Sequence, residues 1–225
     1  MGKKIVINWA DFSENGIAPE FVRLSWIMSR NSSQGLDTKL VKTNRMKIEA
    51  DFSVPQSLLD EVPVENTQHY ICGSAGDSNN AICLSYAKYT IQPVNDNVMG
   101  IISNLTSCRV TLKKIEDTNI HTASIDKENI VLDGLATPTS TFGTYKEQTA
   151  VATMHISCLG RKRSNYEGTD VHVHGFRVYS DYANKNSLIL DLVPVKILKD
   201  NRVCMYDKIG GEYFYTNDGE NPLFG

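Results

Sequence analysis

Between Arg45 and Phe52 the chain alternates without a break: Met46, Ile48, Ala50 and Phe52 interleave with Arg45, Lys47, Glu49 and Asp51. Successive side chains of an extended strand point to opposite faces, so this segment reads as a half-buried strand with one face in a core and the other in water. Helical periodicity is almost absent. Only Ile17–Ser29 and the short Pro55–Val62 stretch could hold a helical turn or two. β-Branched and aromatic runs recur instead at His69–Cys72, Ala81–Tyr89, Val98–Ser103, Arg109–Ile115, Asn119–Ile125, Asn129–Leu132, Ala150–Cys158, Val171–Tyr179, Ser187–Leu198, Arg202–Asp207 and Tyr213–Thr216. So many short strands, separated by Gly, Asn, Asp and Ser clusters, exceed what one flat antiparallel sheet holds comfortably. The expectation is an all-β, two-sheet antiparallel β-sandwich.

The length of 225 residues suits one such sandwich with an appendage. At 41% hydrophobic and 22% charged residues the chain can bury a core and lacks the signature of disorder. Lys and Arg number 23 against 26 Asp and Glu, a net charge of −3, so no basic excess gathers phosphates and a nucleic-acid partner is not expected. No window approaches the ~18–20 apolar residues of a membrane span. The start MGKKIVINWADFSENG has no apolar run or small-residue cleavage site of a signal peptide, so export by that route is not expected and the Asn31 and Asn104 sequons carry no weight. The five cysteines, Cys72, Cys83, Cys108, Cys158 and Cys204, are widely spaced without a C-x-x-C pair and read as reduced, small buried hydrophobes.

Local turn chemistry sharpens the picture. Ile125–Ile130 places polar residues between apolar runs, and Asp133-Gly134 supplies positive φ for a tight hairpin, so residues 119–136 should form a three-stranded meander. Residues 1–35 differ from the rest. They carry both tryptophans of the chain, Trp9 and Trp26, with Phe12 and Phe21, and end in a polar, linker-like stretch. This segment reads as an N-terminal arm that either packs on its own domain or docks on a partner through Trp9, Phe12, Phe21 and Trp26, with the sandwich domain occupying 36–225.

Three stretches together resemble a known pattern. Residues 36–52 are similar to the opening of concanavalin A-like, laminin-G-like jelly-roll domains, although Lys39 stands where a glycine normally follows Asp37-Thr38. His121–Asp126 followed by Asn129–Gly134 looks like the meander of that family. Gly175–Tyr179, Leu190–Val195, Met205–Lys208 and Tyr213–Asn217 resemble its ending, with Leu190 replacing an arginine. Order and spacing agree over roughly residues 36–225, and residues 1–35 lie outside the resemblance. Domains of this kind occur in gut Bacteroidales and in bacteriophage tail and virion proteins, so the resemblance implies a jelly roll and one of those settings.

Candidate chemistry is sparse. Relatives of this fold that hydrolyse glycosides place two carboxylates about 5–5.5 Å apart, usually as Glu-x-Asp-x-x-Glu. Glu49-Ala50-Asp51 supplies the first two positions, Phe52-Ser53-Val54-Pro55 lacks the third, and Arg45 and Lys47 share the carboxylates' face, so an ion-paired strand face is the plainer account. His172 and His174 share a face at a spacing that could chelate a metal, with Asp170 or Asp181 as a conceivable third ligand, but without a defined third ligand surface imidazoles with Val171 and Val173 inward are the plainer account. His121 and His155 are expected to satisfy hydrogen bonds within strands. Tyr206, Tyr213 and Tyr215 are expected to pack, and Pro194 to mark a strand edge or bulge. No nucleophile elbow, Ser–His spacing or phosphate loop is visible, so no enzyme is expected.

Recognition by loops remains. Asp77, Asn79 and Asn80, then Asp96 and Asn97, then Arg161, Arg163 and Tyr166 offer groups suited to sugar hydroxyls or a single Ca²⁺, although no cofactor or metal is indicated. The resemblance implies a non-enzymatic module of a bacteriophage particle: a fibre, tail or capsid-decorating protein, made in the host cytoplasm and residing in the virion. It would contact other virion proteins or sister subunits through residues 1–35, as a homo-oligomer or singly, and touch host glycans but no membrane. The alternatives are a bacterial surface carbohydrate-binding adhesin and, further off, a glycoside hydrolase.

Overall fold

The structure is a computed structural model that describes residues 20–29, 35–41, 43, 45–61, 67–75, 81–91, 96–105, 108–111, 115–138, 153–157 and 170–216. Among the described residues, fifteen strands and one short helix follow in chain order: β1 (Phe21–Arg23), β2 (Leu36–Val41), β3 (Lys47–Ser53), α1 (Gln56–Asp60), β4 (Thr67–Ala75), β5 (Ala81–Ile91), β6 (Asp96–Leu105), β7 (Cys108–Thr111), β8 (His121–Ile125), β9 (Asn129–Leu132), β10 (Leu135–Pro138), β11 (Thr153–Ile156), β12 (His172–Tyr179), β13 (Leu188–Ile197), β14 (Val203–Asp207) and β15 (Tyr213–Phe214). They form two antiparallel sheets. One runs β10-β9-β8-β3-β12-β13-β14-β15, with β1 added on β13; the other runs β2-β11-β4-β5-β6-β7. A bridge between Leu36 and Thr216 ties the two at a corner. Among the described residues no helix is long and apolar enough to cross a membrane.

The alternation of Arg45–Phe52 has the expected outcome. Ile48, Ala50 and Phe52 are buried, and with Val178, Phe176, Leu192 and Ile125 they face Ile71, Leu84, Tyr86, Met154 and Ile156 of the opposite sheet across one shared core. Each of the larger side chains contributes about 1.5–3 kcal/mol by leaving water. The meander also forms as expected. Asp133 (φ 49°) and Gly134 (φ 80°) make the two-residue turn between Leu132 and Leu135, a geometry that needs positive φ at both positions. Asp126 closes the preceding turn by accepting the N–H groups of Glu128 and Asn129 on Oδ1.

Residues 20–29 form no helical turn. β12 pairs with β13 only from Phe176 to Tyr179, while its first half stays on β3, so β12 and β13 splay apart like a fork. The segment is wedged into that fork. β1 pairs with Val195–Ile197 of β13, Leu24 N–H donates to the Pro194 carbonyl (3.0 Å), and Ile27 exchanges reciprocal hydrogen bonds with Val173 of β12 (2.9 and 2.8 Å). A helix there would leave both fork edges with unpaired backbone groups, whereas an extended segment satisfies them. Pro194 therefore lies inside the sheet, opposite Met205, at the handover of β13 from β12 to β1, where its missing N–H costs no ladder bond.

The wedge carries a second, smaller core on the outer face. Phe21 packs against Tyr206 (5.1 Å between ring centroids) and Tyr213 (6.0 Å), with Val193, Val195 and Cys204 buried beneath and Tyr215 at the margin. The tyrosines thus pack here, on the far side of the sheet from the inter-sheet core that Phe214 enters. Burial pushes the Cys204 thiol up to about 12, so this cysteine is an inert hydrophobe. Cys72 is likewise buried, in the inter-sheet core.

Candidate functional site

The outward face of β3 and β12 concentrates the polar groups of the described residues. On β3, Lys47, Glu49, Asp51 and Ser53 share this face; on β12, His172 and His174 do so, followed by Arg177 and Tyr179. The change from even to odd numbers is made by a bulge between Val173 and Gly175, which keeps Val173, Phe176 and Val178 in the core while turning every polar side chain outward.

Arg177 organises the centre. Directly opposite Glu49 in the register, it donates from Nε to Glu49 Oε1 (2.7 Å) and from Nη2 to Asp51 Oδ1 (2.8 Å). Glu49 also accepts Lys47 Nζ (2.8 Å), Lys47 lies 5.2 Å from the centre of the Tyr179 ring, and Thr122 of β8 donates its hydroxyl to Asp51 (2.8 Å). Gly175 makes the Arg177–Asp51 contact feasible. A Cβ at that position would lie 3.1 Å from Asp51 Oδ2 and 3.8 Å from the guanidinium, in the space where the two groups meet. Burial alone would raise the Glu49 pKa, but the hydrogen bonds and charges of Lys47 and Arg177 outweigh it and hold the carboxyl below its ordinary value. Glu49 thus stays ionised, opposite to what a general acid needs. Arg45, read with the same face, pairs instead with Asp181.

The histidine pair contacts the wedge. His172 stacks on Trp26 with ring centroids 3.8 Å apart and planes 5° from parallel. His174 Nδ1 lies 2.6 Å from the Ser25 carbonyl oxygen, which can only accept, so Nδ1 carries the proton and Nε2 accepts the Ser53 hydroxyl at 2.9 Å. This makes a hydrogen-bonded serine–imidazole couple oriented by a backbone carbonyl, yet Ser53 is only 5% exposed, too covered for a substrate carbonyl to approach. Burial lowers the pKa of both imidazoles. For His172 the neighbouring His174 adds to the fall and Asp170 opposes it; for His174 the Ser25 hydrogen bond and Asp51 oppose it.

These directions predict a two-step acid dependence. Groups with folded pKa values below their unfolded ones contribute stability that is complete above the unfolded value and lost as pH falls through the folded value. Stability should therefore decline first below the ordinary histidine value of 6.5, then again below the glutamate value of 4.5. Urea unfolding across pH measures both steps; a flat profile from about pH 7 to about pH 5 contradicts the first.

Of the residues singled out from sequence, Phe21 is spent inside its own chain, 2% exposed, and is not available to a partner; Trp26 remains half-buried beside His172. Asp96 and Asn97 open β6, paired with Ile91 and Thr90, and belong to a strand. Their side chains, like Asp77, Asn79, Asn80, Arg161, Arg163, Tyr166, Trp9 and Phe12, lie outside the described residues. His121 bridges Asp133 (Nδ1, 2.9 Å) and Asp117 (Nε2, 3.2 Å), and His155 Nδ1 reaches the Thr153 carbonyl (3.1 Å). Among the described residues no group of three or more His, Cys, Asp or Glu side chains converges on one point. Arg177, Thr122 and Gly175, which shape this face, were not singled out as site residues; Arg177 and Gly175 lie more than a hundred residues from Glu49 and Asp51, and Thr122 lies 71 from Asp51, so no local pattern links them. No family model matches the chain, and no curated protein matches its sequence.

Proposed function

We propose that this chain is a non-enzymatic structural and recognition module of the jelly-roll type, borne on a bacteriophage particle as a fibre, tail or decorating protein, and that it reads neutral glycans with the outward face of β3 and β12. The particle setting rests on the family resemblance of residues 36–225. The recognition reading rests on one observation: Arg177 clamps Glu49 and Asp51 while Lys47 pairs with Glu49, so two carboxylates balanced by two cations become hydrogen-bonding groups of fixed direction. Groups held on strands are placed more accurately than groups on loops. Beside them Trp26 offers the aromatic surface on which a pyranose ring can lie.

A glycan array followed by calorimetry tests this. Binding to an uncharged oligosaccharide should fall about ten- to a hundredfold in Trp26→Ala and in Thr122→Val, with folding checked by circular dichroism. Silence across the array, or affinity unchanged in both variants, removes the glycan reading from this face.

A further inference from the structure

We infer that His172 and His174 form an acid-sensitive latch that holds residues 24–29 in the fork between β12 and β13. The two imidazoles project from the half of β12 that has left β13, and both grip the same inserted segment: one through the Trp26 ring, the other through the Ser25 carbonyl. On either side of these contacts the segment is held in the sheet by two short sets of backbone bonds, β1 on β13 and Ile27 on Val173. Side-chain contacts and backbone pairing therefore open together.

The groups facing the imidazoles set the sign. From β3 come the Ser53 hydroxyl and the Asp51 carboxylate; from the wedge come the Ser25 carbonyl and the Trp26 ring; from β12 come the other imidazole and Arg177, and just before it Asp170. Asp51 is already committed to Arg177 and Thr122. Protonation of His174 puts a donor on Nε2, where the Ser53 hydroxyl now donates, and places a second cation next to His172 in a half-buried site. Burial lowers both pKa values in the docked state, so falling pH favours the undocked state in which the rings regain water.

Amide hydrogen exchange on the full chain, corrected for intrinsic rates, tests the latch. Between about pH 7.5 and about pH 5, protection at the Leu24 and Ile27 amides should fall about tenfold or more, while Ile48 and Ile125 of the β3–β8 pair keep theirs. In the double variant His172→Phe, His174→Asn, which preserves a stacking ring and an N–H for Ser25 but cannot titrate, protection at Leu24 and Ile27 should stay constant. Should the double variant not fold, His174→Asn alone is read the same way and should weaken the response. Equal protection at both pH values, loss spread evenly over all four amides, or an undiminished response in the non-titrating variant overturns the latch.

Discussion

A chain beginning at residue 30 should fail to reach the stability of one beginning at Glu20, because the ten residues between them are part of the sheet. Removing them takes Ile27 (0% exposed) out of the inter-sheet core and Phe21 (2%) out of the outer one. Those two side chains represent about 3–6 kcal/mol of burial. It also strips hydrogen bonds from Val173 N–H and C=O and from the Pro194 carbonyl, which stood in the interior of the fork. An unsatisfied buried polar group costs about 1–3 kcal/mol. The sum rivals the whole net stability of a domain, roughly 5–15 kcal/mol, so the shorter chain should be unfolded or aggregated at room temperature. Thermal melts of the two truncations decide it. Coincident transitions would mean that residues 20–29 are an appendage.

Replacing Arg177 by Met should destabilise the fold by about 2–4 kcal/mol at neutral pH, since it leaves two carboxylates facing each other in a half-buried setting with their shared cation gone. Side-chain exposures of 17–25% keep the figure below that of a fully buried pair. Two signatures separate lost charge from lost packing. The deficit should shrink as pH falls and Glu49 takes up a proton, and adding Glu49→Gln with Asp51→Asn should recover most of it, because removing the carboxylates together with their cation is far less costly than leaving them without it. A deficit that is independent of pH and not recovered assigns Arg177 to packing alone.

The strands were legible wherever one face met the core. The 45–52 alternation, the Asn129–Leu132 strand and the Asp133-Gly134 turn are local signals, and local sterics decide them. Residues 20–29 misled because their apolar spacing suits a helical turn, while the shape of their slot depends on two strands more than a hundred residues downstream. The β12 bulge was hidden for a related reason. His172, His174, Arg177 and Tyr179 cannot share a face of an unbroken strand, and only the glycine between them hints that the parity changes. Lys39 is instructive in the other direction. It sits at φ 58°, a left-handed conformation costing a non-glycine residue about 1–2 kcal/mol, at the position where the resembled pattern carries glycine. Part of the site was visible, in that Glu49 and Asp51 were read as an ion-paired face. Their main partner was not, because Arg177 joins them only through the sheet register.

Residues 20–29 complete the nine-stranded sheet and thereby shape its outward face. An amide–amide nuclear Overhauser effect between Ile27 and Val173, two residues that exchange both of their backbone hydrogen bonds, tests it most directly. A clear cross-peak is expected at neutral pH, with slow exchange of both amides. Absence of that contact, with the Ile27 amide exchanging as fast as in a free peptide, would contradict it.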